Sequence, residues 1–231
     1  MDAVVTRPVE AAACTLAVEV VSDVICPWCF VGKRRMEQAS RLLGDDLRLD
    51  VRWRPFQLNP TMPKEGLDRR TYRTAKFGSW EHSQALDAQI AAVGREVGVA
   101  FCHDLMARTP NTFDAHRLIW LAGQEGKQDE VVEALFRAYF TEGRDIGDSS
   151  VLADLAAEAG LPRERATGFL RSDQGSAEVS VEEAQARRLG ISGVPTILVG
   201  GVPVFSGALR AETMAAKLRE ASLRHAALPA R

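Results

Sequence analysis

Cys26-Pro27-Trp28-Cys29 is the segment of this sequence best suited to chemistry. An apolar stretch precedes it and a helical pattern follows, so we expect Cys26 at the amino end of a helix. Unpaired N–H groups and the helix dipole stabilise a thiolate there. Cys29 would lie one turn further along, within reach of a mixed disulfide formed at Cys26. The pair predicts thiol–disulfide exchange, with Cys26 as nucleophile and Cys29 as the resolving thiol of a redox disulfide.

Three other uses of a cysteine pair fit the sequence less well. A zinc site needs two further ligands at short spacing, but Cys14 and Cys102 are isolated and His103 gives only a weak second half-site. Covalent haem attachment needs a histidine directly after the second cysteine, where this chain has Phe30. Two inert core cysteines would leave the Pro-Trp spacing between them unexplained. No metal is expected.

Gly193-Val194-Pro195-Thr196 is the second segment of interest, because it stands directly before a predicted strand. A proline at a strand start costs no ladder hydrogen bond. A cis bond between Val194 and Pro195 would turn the loop tightly. It would also leave the N–H and C=O groups of Val194 free to pair with an extended substrate backbone. With the cysteine pair upstream, we expect the cis form and assign Val194 and Pro195 to substrate binding.

The elements needed to position these segments can be predicted from hydrophobic patterning. A buried strand is expected over residues 16–21, a helix from Pro27 to Gly44, and an alternating strand over residues 47–53. Helical patterns dominate from about 67 to 190. Two short strands then flank Gly200-Gly201, a strong hairpin signal, before a last helix over residues 210–223.

This order predicts an α/β fold, namely a thioredoxin fold with a large all-helical domain inserted between its second and third strands. The thioredoxin-like domain is expected to be discontinuous, over residues 14–60 and 190–225. The inserted helical domain is expected over residues 61–189.

Composition excludes several classes of protein. The 231 residues are 46% hydrophobic and 26% charged, which is typical of a globular chain with a real core. The formal net charge of −2 offers no basic excess for nucleic acid, and no apolar run reaches the roughly 20 residues of a membrane helix. The amino terminus has no basic start followed by an apolar segment, so we expect no signal peptide and a cytoplasmic protein.

The sequence resembles the DsbA-like thioredoxin superfamily. The resemblance is carried by Cys26-Pro27-Trp28-Cys29, by the helical insertion and by Gly193-Val194-Pro195-Thr196, and it spans residues 16–223. Within that superfamily the chain is similar to the FrnE-type branch. The motifs that indicate this branch are Ser22-Asp23-x-x-Cys26-Pro27-Trp28-Cys29, Trp53-Arg54-Pro55-Phe56-Gln57-Leu58-Asn59-Pro60 and Asn111-Thr112-Phe113-Asp114-Ala115-His116-Arg117-Leu118.

The resemblance implies a protein disulfide oxidoreductase or isomerase acting on protein or peptide thiols. It assigns Cys26 as nucleophile, Cys29 as resolving thiol and Pro195 as the cis proline. It implies no resident cofactor, although glutathione could serve as co-substrate. The direction of the redox chemistry stays open, as does the choice between monomer and homodimer.

One alternative is a glutathione-dependent isomerase or transferase of the kappa-class or chromene-carboxylate isomerase type. These sister families share the architecture and use a residue near Asn59 for glutathione, whereas an Asn-Pro turn would explain Asn59 without a ligand. The complete cysteine pair argues against this alternative. A redox-sensing binding module is a third hypothesis, which nothing in the sequence demands.

The remaining expectations concern individual side chains near these motifs. Pro27 and Trp28 are expected at the substrate site, with Trp28 either on an apolar rim or packed in the core. Asp23 could tune the cysteine pair or simply bond to nearby backbone. His116 could act as a general base, but a buried or interface histidine with its hydrogen bonds satisfied is the favoured expectation. A solvated helix face is expected to contain Arg69, Arg70 and Arg73.

Overall fold

The computed structural model describes residues 14–226. Its main sheet has four strands: β1 Cys14–Ser22, β2 Leu47–Pro55, β5 Thr196–Val199 and β6 Val202–Ser206. They lie in the order β2-β1-β5-β6. β1 runs parallel to β2 and antiparallel to β5, and β5 runs antiparallel to β6. Met1–Ala13, on which the expectation about a signal peptide rests, lie outside the described residues.

Helix α1 Pro27–Leu43 lies between β1 and β2 in the chain, and helix α9 Ala211–Ala226 follows β6; the two helices pack against each other. Pro27 occupies the first turn of α1, where its missing N–H removes no helical bond. Gly200 and Gly201 both have positive φ, as a two-residue hairpin turn between β5 and β6 requires. The predicted thioredoxin fold, with its insertion between the second and third strands of the main sheet, is confirmed.

The insertion consists mainly of seven helices. They are α2 Arg69–Phe77, α3 Trp80–Glu96, α4 Phe113–Gln124, α5 Gln128–Glu142, α6 Ser149–Glu158, α7 Arg163–Leu170 and α8 Ser176–Arg188. Contrary to the all-helical expectation, it also contains a small antiparallel ladder between β3 Leu67–Asp68 and β4 Arg108–Thr109. Strands of two residues are too short to leave a periodic pattern in the sequence.

Aromatic packing joins the insertion to the thioredoxin part. Phe30, which directly follows Cys29, is fully buried and stacks on Phe136 of α5 with ring centroids 5.1 Å apart. One continuous hydrophobic cluster contains buried residues of the main sheet, of α1 and of the inserted helices. The amino end of α1 is therefore fixed from both sides. No helix within residues 14–226 has the length and apolar character needed to cross a membrane.

Candidate active site

Cys26 lies immediately before α1 as its N-cap residue, with extended backbone angles. Its N–H donates to the carbonyl of Asp23 over 3.0 Å, which closes the turn between β1 and the helix. The residue is only 6% exposed. The loop before β5 accounts for part of this cover, because Cys26 Sγ lies 3.6 Å from the carbonyl oxygen of Val194.

Cys29 lies one turn further into α1 and is completely buried. Burial raises the pKa of its thiol well above the usual value, and the neighbouring Cys26 thiol adds to that rise. The Ser22 hydroxyl and the Asp23 backbone N–H face the sulfur and oppose the effect. Both cysteines are free thiols in this structure. The two thiols therefore differ in access, and Cys29 must lose its proton before it can attack.

The Val194–Pro195 peptide bond is cis, as predicted. Two hydrogen bonds hold the loop with Val194 facing Cys26: Thr196 Oγ1 donates to the Gly193 carbonyl over 2.8 Å, and Gly207 N donates to the Pro195 carbonyl over 2.7 Å. Gly32 of α1 lets the helix approach, since a Cβ there would lie 3.1 Å from Pro195 Cγ. The structure thus brings the two predicted segments together at the amino end of α1.

A cavity of about 380 Å³, here called the front pocket, opens beside Cys26. It lies between the active-site turn and helices α2, α3 and α5. Pro27 and Trp28 line it, and Trp28 is 43% exposed. The ring therefore lies at an accessible edge and is not packed in the core. Other members of its wall are Leu58, Asn59, Arg69, Tyr72, Arg73, Lys76, Asp87, His103 and Tyr139.

The prediction that Arg69 and Arg73 lie on a solvated face of α2 is wrong. Arg69 is only 4% exposed and donates to Asp87 Oδ2 over 2.7 Å, while Arg73 donates to Asp87 Oδ1 over 2.8 Å. The shared partner, Asp87 of α3, cannot be identified from the pattern of α2 alone. The spacing of Arg69, Arg73 and Lys76 along one helix face was the available signal for a charged wall.

The front pocket carries excess positive charge. Three cationic side chains line it against one carboxylate, and that carboxylate already pairs with both arginines. Burial lowers the pKa of His103 in the same wall, which favours its neutral form. No sequence motif indicated a functional role for His103, Tyr72 or Lys76.

Asn59 also lines the front pocket. Its Oδ1 accepts hydrogen bonds from the Tyr72 hydroxyl at 2.5 Å and from Lys76 Nζ at 3.3 Å. Its Nδ2 is buried and has no hydrogen-bond partner among the described residues. The Asn59 amide therefore keeps a donor beside Cys26, which an Asn-Pro turn by itself would not require.

Asp23 and His116 lie beneath the active-site turn and are almost entirely buried. Asp23 Oδ2 accepts the backbone N–H of Leu58 over 2.7 Å, which agrees with the expected bond to nearby backbone. Asp23 Oδ1 faces His116 Nε2 at 3.4 Å, yet neither atom makes an aligned hydrogen bond. The expectation of a fully satisfied His116 is therefore wrong.

The two remaining cysteines lie away from this arrangement. Cys14 is exposed at the start of β1, and Cys102 is half-buried before a short turn that precedes β4. Both are free thiols.

Comparisons with known proteins agree with this arrangement. The DSBA-like thioredoxin domain family matches residues 17–219. The uncharacterized protein YwbO of Bacillus subtilis (strain 168) is 30% identical over 188 residues, which cover 80% of this chain and 88% of YwbO. The crystal structure of a probable DsbA oxidoreductase from Streptomyces coelicolor is 32% identical with a TM-score of 0.82, and covers 94% of this chain and 93% of its own.

A more distant structural match shares the fold. The cytosolic disulfide reductase DsbM from Pseudomonas aeruginosa, solved with GSH, is 18% identical with a TM-score of 0.58, over 91% of this chain and 98% of its own. The family match covers most of the chain and includes both segments of the candidate active site. This chain therefore belongs to the DSBA-like thioredoxin domain family of thiol–disulfide oxidoreductases.

Proposed function

We propose that this protein exchanges disulfides of protein or peptide substrates through Cys26 and Cys29, as a FrnE-type oxidoreductase or isomerase. The observation that carries the proposal is the position of Cys26 at the amino end of α1, facing the carbonyl of Val194 across 3.6 Å. An extended substrate backbone can pair with Val194 while its disulfide approaches Cys26. Cys29 lies directly behind, protected from solvent.

The exchange proceeds in two steps. The Cys26 thiolate attacks one sulfur of the substrate disulfide; the substrate S–S bond breaks, and the other substrate sulfur leaves as a thiolate. The Cys29 thiolate then attacks Cys26 Sγ and displaces the second substrate sulfur. The substrate gains two electrons, and the protein becomes the Cys26–Cys29 disulfide. Running the same steps backwards oxidises a dithiol substrate, and stopping after the first step permits isomerisation.

We further propose that a small anionic thiol of the glutathione class restores the dithiol. The cationic wall of the front pocket suits carboxylates, and the Asn59 Nδ2 offers a hydrogen-bond donor beside Cys26. Two such thiols reduce the Cys26–Cys29 disulfide and leave as their own disulfide. DsbM, which has the same fold, was solved with GSH and is named as cytosolic. Both facts support a glutathione-linked role in the cytoplasm.

The first experiment is a redox titration of Cys26 and Cys29 against reduced and oxidised glutathione, read by thiol alkylation and mass. A Cys26–Cys29 disulfide in equilibrium with glutathione supports the proposal. The reduction potential of the Cys26–Cys29 pair gives the direction of the chemistry. A potential above that of the cytosolic glutathione couple indicates an oxidase or isomerase, and a potential below it indicates a reductase. Loss of insulin reduction in Cys26→Ser is expected. Full activity of that variant would overturn the proposal.

The glutathione-dependent alternative predicts a different result. Glutathione would be trapped on Cys26 without an intramolecular disulfide, and Cys29→Ala would keep full activity. The proposed dithiol exchange instead requires that Cys29→Ala accumulate the mixed disulfide and lose multiple turnover in disulfide reduction.

The role of the cationic wall is tested by charge reversal at Lys76, which is exposed at the pocket edge. Lys76→Glu is expected to raise the KM for glutathione about tenfold, equivalent to about 1.4 kcal/mol, with little change in kcat. Arg188→Glu, at the exposed end of α8, is the matched control. If both variants had the same KM for glutathione, the proposal that glutathione binds in the front pocket would be wrong.

A further inference from the structure

A second cleft, here called the rear cleft, has a volume of about 540 Å³ and is bounded by β2, α4, α5 and α8. Its wall shares no residue with the front pocket. Asp50 and Arg52 are exposed in this wall, so the cleft opens to solvent. Ser22 and His116 are buried members of the same wall. The rear cleft thus extends from solvent to the base of the active-site turn.

His116, which lines the rear cleft, has one unused polar atom. The residue is 2% exposed, and its Nε2 has no hydrogen-bond partner among the described residues. Leaving a buried polar atom without a partner is normally unfavourable. Its nearest charged neighbour is Asp23 Oδ1 at 3.4 Å, an atom that also lacks an aligned partner. Because Leu58 holds the other carboxylate oxygen, Asp23 stays directed at the imidazole.

Ser22 connects this pair to the buried thiol. Its hydroxyl faces Cys29, where it favours the thiolate. Ser22 also lines the rear cleft, as His116 does. Asp23 contributes a backbone N–H to the same sulfur. The cleft is polar and large enough for water, which can bridge groups that do not touch directly.

We propose that His116 is a positioning residue for the second step of exchange, taking up the proton that Cys29 must lose through Ser22 and water in the rear cleft. The inference rests on the proposed function. The Cys29 S–H bond breaks, the proton passes to the imidazole, and Asp23 balances the new positive charge. The Cys29 thiolate then forms the bond to Cys26 Sγ, and the substrate sulfur leaves with the electron pair. The imidazolium returns its proton to solvent through the cleft.

Other charged groups share this environment and enter the pH dependence. Burial raises the pKa of the Tyr139 phenol on α5, and the charge of Asp23 adds a smaller contribution in the same direction. Asp114 and Arg117 flank His116 on α4 and pair with each other. The charged side chains that line the rear cleft are Asp50, Arg52, Arg54, Asp129, Glu130 and Glu182.

The test compares His116→Ala and His116→Gln with His82→Gln, whose histidine is exposed on α3. Each protein is mixed with a model peptide disulfide and quenched with acid. Mass spectrometry then follows the mixed disulfide at Cys26. General base catalysis typically contributes about 10²–10⁴-fold, so resolution by Cys29 should slow by at least about 100-fold in both His116 variants. His82→Gln should match the native protein.

Chemical rescue separates proton transfer from a purely structural effect. Added imidazole can enter the rear cleft of His116→Ala, and it should restore the resolution rate more strongly as the pH rises through the range in which free imidazole loses its proton. The melting temperature should stay constant across the imidazole series. If His116→Ala does not fold, the slower resolution and shifted pH profile of His116→Gln carry the test.

The outcomes also separate this inference from the proposed function. If no mixed disulfide forms in the native protein, the proposed exchange itself is wrong. If it forms and resolves at the native rate in both folded His116 variants, the exchange stands and the role of His116 is overturned. Slow resolution that imidazole leaves unchanged at every pH also overturns it.

Discussion

The carboxylate of Glu183 binds both nitrogens of Gln57, with 3.1 Å from Oε1 to the backbone N and 3.0 Å from Oε2 to Nε2. Arg187, one turn later on α8, donates to Glu183 and to the Gln57 carbonyl, and its guanidinium lies 4.4 Å from the Phe56 ring centroid. These contacts fix the segment after β2. Since Leu58 in that segment holds Asp23, they also support the floor of the active site.

Glu183→Gln is expected to destabilise the fold at neutral pH by about 1–3 kcal/mol, the range for hydrogen bonds to a charged group. Burial would raise the pKa of Glu183, but its bonds to Gln57 and Arg187 outweigh burial and lower it. Its stabilising effect is therefore complete above the unfolded-state pKa and is lost as pH falls through the lower folded-state pKa. Urea unfolding across the acid range checks the expected convergence of variant and native protein.

The exposed Glu178→Gln on the same helix serves as the control for that comparison. A stability difference for Glu183→Gln that stayed constant into strong acid would show that the carboxylate charge is not the source of the effect.

Alkylation should distinguish the two active-site thiols in a protein carrying Cys14→Ser and Cys102→Ser. Cys26 lines the front pocket, whereas Cys29 is fully buried with a raised pKa. Iodoacetamide at neutral pH is expected to modify Cys26 and spare Cys29, and Cys29 should become reactive only well into the alkaline range. Peptide mapping by mass reads both sites. Equal rates at neutral pH would contradict the burial of Cys29.

Trp28→Ala tests the exposed ring at the edge of the front pocket. Aromatic side chains often contribute more than 1 kcal/mol to recognition when they contact a partner, so the KM for peptide disulfides should rise about tenfold. A surface substitution of this kind should change unfolding free energy by less than about 0.5 kcal/mol. Leu223→Ala, 74% exposed on α9, is the control. Unchanged peptide kinetics would place Trp28 outside the substrate contact.

Lys33→Met tests an ionic cluster that joins α1 to α5. Lys33 is 5% exposed, and its Nζ lies 2.7 Å from Glu37, 3.0 Å from Asp129 and 3.3 Å from Glu133. Burial lowers its pKa, but Glu37 and Asp129 more than offset this and the pKa is raised. Removal of the ammonium should cost roughly 1–3 kcal/mol, measured by urea unfolding against Lys217→Met. If Lys33→Met were more stable than the native protein, the free energy needed to bury the ammonium would exceed the stabilisation from its ion pairs.

The features predicted well from sequence are those specified by local residue order. Pro27 and Gly44 delimit α1, and Gly200-Gly201 defines the hairpin. Each of these residues determines the backbone conformation at its own position, so no distant partner is needed. The buried ion pairs of Arg69 and Arg73 and the unpaired Nε2 of His116 could not be predicted in this way. The facing carboxylates, Asp87 and Asp23, lie on other elements, and helical periodicity does not show which charged side chain will meet an opposite charge. The charged wall of the front pocket and the rear cleft therefore emerged only from the tertiary arrangement, whereas Pro27, Trp28 and Asn59 were predicted from their motifs.

Cys26 and the residue that faces it, Val194, are 168 positions apart in the chain. A ribosome adding roughly 5–20 residues per second needs about 10–30 s to cover that distance. Throughout this interval the nascent chain carries both cysteines without β5, without the neighbouring loop and without a completed sheet. The dithiol therefore meets the redox environment of the cell before it has a substrate-binding loop. Selectivity is therefore acquired late in the synthesis of this chain, well after its reactive thiols.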